Sequence, residues 1–209
     1  MRQYLDGTRH AYDTVAADYA RRLPGLDAEQ PPELGVLAAF AGAVRGGRVG
    51  DLGCGTGRVT AHLAGQGLDV FGLDLSAGMI AEARRRHPAL PFAVASLTAL
   101  PLATGALDGA LAWYSIVHTP PAVLPVILAE LHRVLAPGGR LLLAVHAGGT
   151  SWRRETAYGH PVPLDWHQPD PDPLAADLAG LGLPVTDRLV RPPVGAEPAP
   201  QACLLARKA

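Results

Sequence analysis

Residues 49–57 read VGDLGCGTG and run directly into RVTAHLAGQ, an apolar-periodic segment that ends at Gly67. The order apolar strand, glycine turn, helix constrains this chain more than any other feature of it. Glycines at alternate positions, 53, 55 and 57, let backbone approach a ligand closely and adopt conformations other residues avoid. The turn opens a helix, whose first N–H groups lack intrahelical partners and favour anionic groups. In an open α/β sheet such a turn lies beyond the carboxyl ends of the strands, where ligands bind.

The rest of the chain repeats the alternation. LDVFGLD, PFAVA, ALDGALAWYS and RLLLAVH read as strands, with AGMIAEARRRH and AVLPVILAELHRVL as helices between them. VFGL and LLLAV are apolar without alternation, as expected of strands covered on both faces. Residues 48–146 therefore predict a parallel sheet with helices on both sides. Ahead of it, residues 10–22 place Tyr12, Val15, Ala16 and Tyr19 on one helical face, and a second helix is expected over roughly 31–44. Beyond it, residues 147–171 are rich in Pro, polar and aromatic residues and read as a long substrate-lid loop. A helix near 172–181 and strands near 184–191 and 200–207 complete the chain. The expected organisation is one domain. Its parts are an N-terminal helical lid (1–45), a cofactor-binding core (46–146), the lid loop (147–171) and a C-terminal helix with two strands (172–209).

Bulk properties exclude some classes. A formal net charge of -1 gives no general attraction to nucleic acid or to an anionic membrane. The two cysteines, Cys54 and Cys203, have no zinc-type spacing. They fit a reducing, cytoplasmic setting. No apolar run approaches the roughly 20 residues needed to cross a bilayer, and the N-terminus lacks the apolar core of a signal peptide.

Asp74 ends the second strand of the core, placed to accept both hydroxyls of a ribose. With the glycine turn it points to an adenosine-containing cofactor. The dinucleotide fingerprint G-x-G-x-x-G requires a third glycine where this chain has Arg58, so that match fails. VGDLGCGTG, FGLDLSAGM, LAWYS and LHRVLAPGGRLLLAV together resemble the class I S-adenosylmethionine-dependent methyltransferases. LAWYSIVHTPPAVLP is similar to a small, actinobacterial-type subgroup without a large added substrate domain.

The resemblance implies a Rossmann-like fold: a seven-stranded, mostly parallel sheet with the last strand antiparallel and helices on both faces. It implies S-adenosyl-L-methionine as cofactor. Gly53, Cys54 and Gly55 would meet its methionine part through backbone, and Asp51 its amino group. Asp74 would bind the ribose, with Leu75 and Met79 against the adenine. Ser96, followed by Leu97, stands where many relatives carry an aspartate near the adenine amino group. Trp113 and Tyr114 would line the boundary between cofactor and acceptor. Tyr19 would cover the cofactor, and Arg22 would pair with its carboxylate. Local alternatives remain: Tyr19 as packing, Ser96 as a loop cap, Cys54 as a small residue fitted to the turn.

Methyl transfer needs a general base only when the acceptor arrives protonated. His118 in YSIVHTP and His146 at the end of LLLAVH are the candidates, since a neutral imidazole suits proton removal near pH 7. His118 could equally bond local backbone ahead of Pro120. His160, Asp165, Trp166 and His167 in GHPVPLDWHQ would form the acceptor lid or pin the loop. The expected activity is methyl transfer to a small-molecule acceptor, without metal. The competing readings are a cofactor-binding sensor or partner subunit without turnover, and a dinucleotide-dependent oxidoreductase.

Overall fold

The computed structural model describes residues 1–195 and 197–209. Helices α1 (Arg2–Arg22) and α2 (Pro31–Ala43) precede an alternating core. The core runs β1 (Arg48–Leu52), α3 (Arg58–Gly65), β2 (Asp69–Asp74), α4 (Ala77–Arg86), β3 (Phe92–Val94), β4 (Leu107–Trp113), α5 (Leu124–Val134) and β5 (Leu135–His146). There follow β6 (Thr150–Ala157), β7 (His160–Gln168), α6 (Pro171–Gly180), β8 (Val185–Arg191) and β9 (Gln201–Arg207).

Seven strands form one sheet in the order β3-β2-β1-β4-β5-β9-β8. β1 to β5 pair in parallel, and β9 is antiparallel to both of its neighbours. Strand order reverses between β1 and β4, and a crevice forms there at the carboxyl ends. One apolar cluster packs α5 and α6 against one face of the sheet through Leu128, Leu131 and Leu178. Another packs α2 and α3 against the other face through Leu37, Phe40 and Leu63. This explains why Leu111, Leu142 and Leu143 are inaccessible to solvent.

Local chemistry sets the boundaries. α2 starts with Pro31 and Pro32, where the missing N–H costs nothing. Ser76 caps α4 by accepting from the Met79 N–H at 3.0 Å. Gly67 takes a φ of +85° just beyond α3, as a helix-ending glycine does.

Three sequence expectations change. α1 begins at Arg2 rather than residue 10, so Tyr4 and Leu5, both half-buried, belong to it. α5 stops at Val134, and the Pro137–Gly139 stretch bulges within β5 between the pairings of Leu135 and Arg140. Residues 147–171 are not a long loop. β6 and β7 form a separate antiparallel hairpin, with Trp152 opposite Trp166. Tyr158–Gly159 make a two-residue turn at φ +56° and +89°. The prolines hid this pairing, since Pro161 and Pro163 lie on a strand with no second sheet neighbour.

Candidate functional site: two cavities with a shared wall

Two adjoining cavities open at the carboxyl ends of β1, β2 and β4. The first, of about 120 Å³, is bordered by the glycine turn, the end of β2 and α1. The second, of about 260 Å³, lies under the hairpin. Tyr12, Tyr19, Arg58, Tyr114 and His118 line both.

The first cavity is built largely from backbone. Gly53 has a φ of +84°, and a Cβ there would sit 2.2 Å from the Ser115 Cβ, so no other residue fits. Gly55, at φ +54°, faces open space. Asp74 accepts the Gly55 N–H through Oδ2 and the Ser76 N–H through Oδ1, both at 2.8 Å. These bonds fix the carboxylate and leave lone pairs free. Asp51 is buried, and its Oδ2 accepts from the Thr60 hydroxyl at 2.6 Å. Its Oδ1 has no partner. Burial pushes its carboxyl up to about 6. A buried carboxylate oxygen without a partner at the edge of a cavity calls for a donor from a ligand.

Leu75, Met79, Ser96 and Leu97 also border this space. The Ser96 hydroxyl caps its own turn, accepting the Thr98 N–H at 3.2 Å and sharing a 2.8 Å bond with the Thr98 hydroxyl. Cys54 is buried, and burial pushes its thiol well up, so it is a small residue in a tight turn rather than a nucleophile.

Helix α1 is latched over this cavity. Asp13 accepts from the Ser76 hydroxyl at 2.6 Å and the Gly78 N–H at 2.8 Å, at the N-terminus of α4. The close approach depends on Gly78, whose added Cβ would meet the Asp13 Cα at 3.1 Å.

The second cavity has aromatic walls. His146 packs 4.9 Å from Tyr114 and 5.2 Å from Trp166, between ring centroids, and His118 meets Trp166 edge-on at 5.2 Å. Tyr114 holds a φ of +52°, a strained conformation for an aromatic residue. His118 Nδ1 lies 2.7 Å from the Asp165 carbonyl, which can only accept, so Nδ1 carries the proton. Nε2 is then an acceptor for the Tyr12 hydroxyl at 3.1 Å. Burial lowers both His118 and His146 to about 4, so both rings are neutral near pH 7.

Most of the expected site residues converge here. Tyr19, Asp51, Gly53, Cys54, Gly55, Asp74, Leu75, Met79, Ser96, Leu97 and Trp113 border the first cavity; His146 and Trp166 border the second. Two expected residues stand apart. Arg22 borders neither cavity; its guanidinium lies over the Tyr158 ring, 5.5 Å from the centroid. It follows Tyr19 by three positions, shares with it the contact to Tyr158, and is solvent-exposed. His160 is tied to Asp18 at 2.9 Å and pins the hairpin to α1. Asp165 contributes its carbonyl to His118 while its carboxylate pairs with Arg153, and His167 bonds Ser151.

Sequence reasoning missed Tyr12, Arg58 and Glu29 as site residues. Arg58 follows the glycine turn directly and reaches Glu29 at 2.6 Å, with both side chains largely buried. Its place at the first turn after the glycines was the available signal. Among the described residues, no group of three His, Cys, Asp or Glu side chains is arranged to hold a metal ion.

Residues 49–139 match a family model described as a methyltransferase domain. That stretch holds the glycine turn, Asp51 and Asp74. It is 45% identical over 103 residues to a demethylmenaquinone methyltransferase of Beutenbergia cavernae, covering 49% of this chain and 42% of that protein. It is 33% identical over 153 residues to a malonyl-[acyl-carrier protein] O-methyltransferase of Erwinia billingiae, covering 72% of this chain and 59% of the other. The chain thus spans about half the length of the curated relatives it matches. Its fold matches that of Burkholderia thailandensis 1,6-didemethyltoxoflavin-N1-methyltransferase, solved with that compound and S-adenosylhomocysteine. The TM-score is 0.77 at 23% identity, over 99% of this chain and 89% of that one. The chain carries the seven-stranded sheet with antiparallel β9 that the family resemblance implied.

Proposed function

We propose that the protein transfers a methyl group from S-adenosylmethionine to a small-molecule acceptor, with the cofactor in the first cavity and the acceptor in the second. The observation that carries this reading is the wall of Tyr12, Tyr19, Arg58, Tyr114 and His118 that both cavities share. Two reactants must meet in line across one boundary, and alignment of this kind contributes several kcal/mol to catalysis.

The residues present fit the cofactor. The partnerless Asp51 Oδ1 suits its amino group, and the open space at Gly55 admits its methionine part against backbone. Asp74 suits the ribose hydroxyls, and Leu75 and Met79 suit the adenine. Arg58, with Tyr19, takes the carboxylate role that the sequence reading gave to Arg22. Bound there, S-adenosylmethionine supplies an electrophilic sulfonium methyl.

The protein's own groups orient the acceptor and exclude water. Tyr12 donates to His118 Nε2 and so turns only lone pairs toward the cavity boundary. An acceptor hydroxyl or N–H can donate to that oxygen. His118, neutral and lowered to about 4, is a weak base that holds Tyr12; a proton leaving the acceptor would reach it through the Tyr12 oxygen. His146, lowered equally, serves as a wall. Relatives named for demethylmenaquinone, malonyl-[acyl-carrier protein] and 1,6-didemethyltoxoflavin differ in acceptor while sharing the reaction, which leaves the acceptor to the second cavity.

Calorimetric titration with S-adenosylhomocysteine, against NADH as control, tests the reading. Binding of S-adenosylhomocysteine alone is expected. Binding of NADH alone overturns it.

A further inference from the structure

The second cavity holds a charge imbalance. Arg191 donates from Nε to Glu33 and from both terminal nitrogens to Glu197, so one guanidinium serves two carboxylates. The side chains are largely removed from water: Glu33 is 1% exposed, Arg191 11% and Glu197 23%. The neighbouring pair, Glu29 with Arg58, is balanced and 5% and 11% exposed. His118 and His146 are neutral, and Arg154, the remaining cation on the cavity wall, is solvent-exposed beside Trp166.

The buried cluster therefore keeps one unmatched negative charge, and uncompensated buried charge is costly. The same side chains show where compensation is missing. Glu33 and Glu29 each leave Oε2 buried with no hydrogen-bond partner. Both residues line the second cavity and neither lines the first. A carboxylate oxygen can only accept, so the missing partner is a donor, and the charge count makes it a cation. Other parts of the wall include Tyr114, His146 and Trp166, rings that suit a flat ring and a cation alike.

We propose that the second cavity takes a small aromatic amine, whose ammonium group is anchored by Glu33 beside Arg191 and Glu197 while its ring lies against Tyr114, His146 and Trp166. The ammonium is the handle and not the methylated atom. Glu33 borders the second cavity and not the first, so the end of the ligand away from Glu33 is the one that faces Tyr12 and the cofactor. The proposal rests on the assignment of this cavity to the acceptor.

The test is calorimetry on the whole protein with three probes that differ mainly in charge: tyramine, 4-ethylphenol and 4-hydroxyphenylacetate. Each is titrated with and without saturating S-adenosylhomocysteine. Tyramine is expected to bind about tenfold or more tighter than 4-ethylphenol, and the carboxylate not to bind. In Glu33→Gln, the preference for tyramine over 4-ethylphenol should fall to less than about threefold, with S-adenosylhomocysteine affinity intact as the sign of a folded protein. Glu29→Gln provides the second variant if Glu33→Gln does not fold, and a partial loss of preference is expected there. Equal binding of tyramine and 4-ethylphenol, tighter binding of the carboxylate, or no binding of tyramine overturns the proposal. If S-adenosylhomocysteine itself fails to bind, the cofactor assignment falls, while the three probes on the ligand-free protein still decide the charge preference.

Discussion

The two cavities are made by different means. The first is a product of contiguous backbone: nine residues of glycine turn, one aspartate at the end of the next strand, and N–H groups fixed by both. The second is a product of side chains from α1, α2, the hairpin and the C-terminal strands, brought together only by the fold. The difference teaches what each can tolerate. A backbone cradle fails when a single glycine changes, whereas a side-chain cage changes its preference by degrees.

Alanine at two glycines gives the largest expected contrast. Gly53→Ala puts a Cβ into Ser115 at a left-handed φ, and should cost roughly 3 kcal/mol of stability or more, read in thermal melts. Gly55→Ala meets no protein atom and should cost only about 1 kcal/mol, yet remove most S-adenosylhomocysteine binding. Equal stability losses would show that the open space at Gly55 is not the ligand's.

Acid and base should then pull the two cavities in opposite directions. Asp51 is raised to about 6, above its unfolded value near 3.9, so the folded protein holds its proton longer. Its stabilising effect is present below about pH 4 and lost as pH rises through 6, by on the order of 3 kcal/mol. Asp51→Asn should flatten that part of the stability profile and weaken S-adenosylhomocysteine binding at pH 8. His118 and His146 are lowered to about 4 from near 6.5. Their contribution is present above pH 6.5 and lost as pH falls toward 4, on the order of 3 kcal/mol each. Denaturant melts of His118→Asn over pH 4–7 should show a shallower decline than the parent; an unchanged slope would mean the ring is not kept neutral by burial.

Smaller still is the effect of Asp74→Ala, about tenfold or more in S-adenosylhomocysteine affinity with probe binding in the second cavity unchanged. Tyr12→Phe should move least. It removes a donor that favours neutral His118, so the imidazole should titrate at a higher pH by NMR, while the melting temperature shifts by no more than a few degrees.

The same division decides how much was legible in the sequence. The alternating core, the glycine turn, Asp51 and Asp74 are local signals, and the structure places them as expected. The register of β6 on β7 is not local, because prolines and charges on a two-stranded ribbon look like loop composition. The resemblance implied Arg22 for the carboxylate and nothing for Arg58, and which of the two reaches the cavity depends on the surface each side chain packs on. Glu29 and Glu33 carried no signal at all, since acids near a helix start are usually solvated.

The hairpin pairs with itself and contributes no strand to the main sheet. Its own hydrogen-bond ladder is therefore closed within nineteen residues, Thr150 to Gln168, and it is tied to the rest by His167 N–H to the Val117 carbonyl, the Asp165 carbonyl to His118, and His160 to Asp18. Changes in its sequence reshape the second cavity first, provided those ties are kept. For an engineer, it is the interchangeable jaw of a tool whose handle is already made.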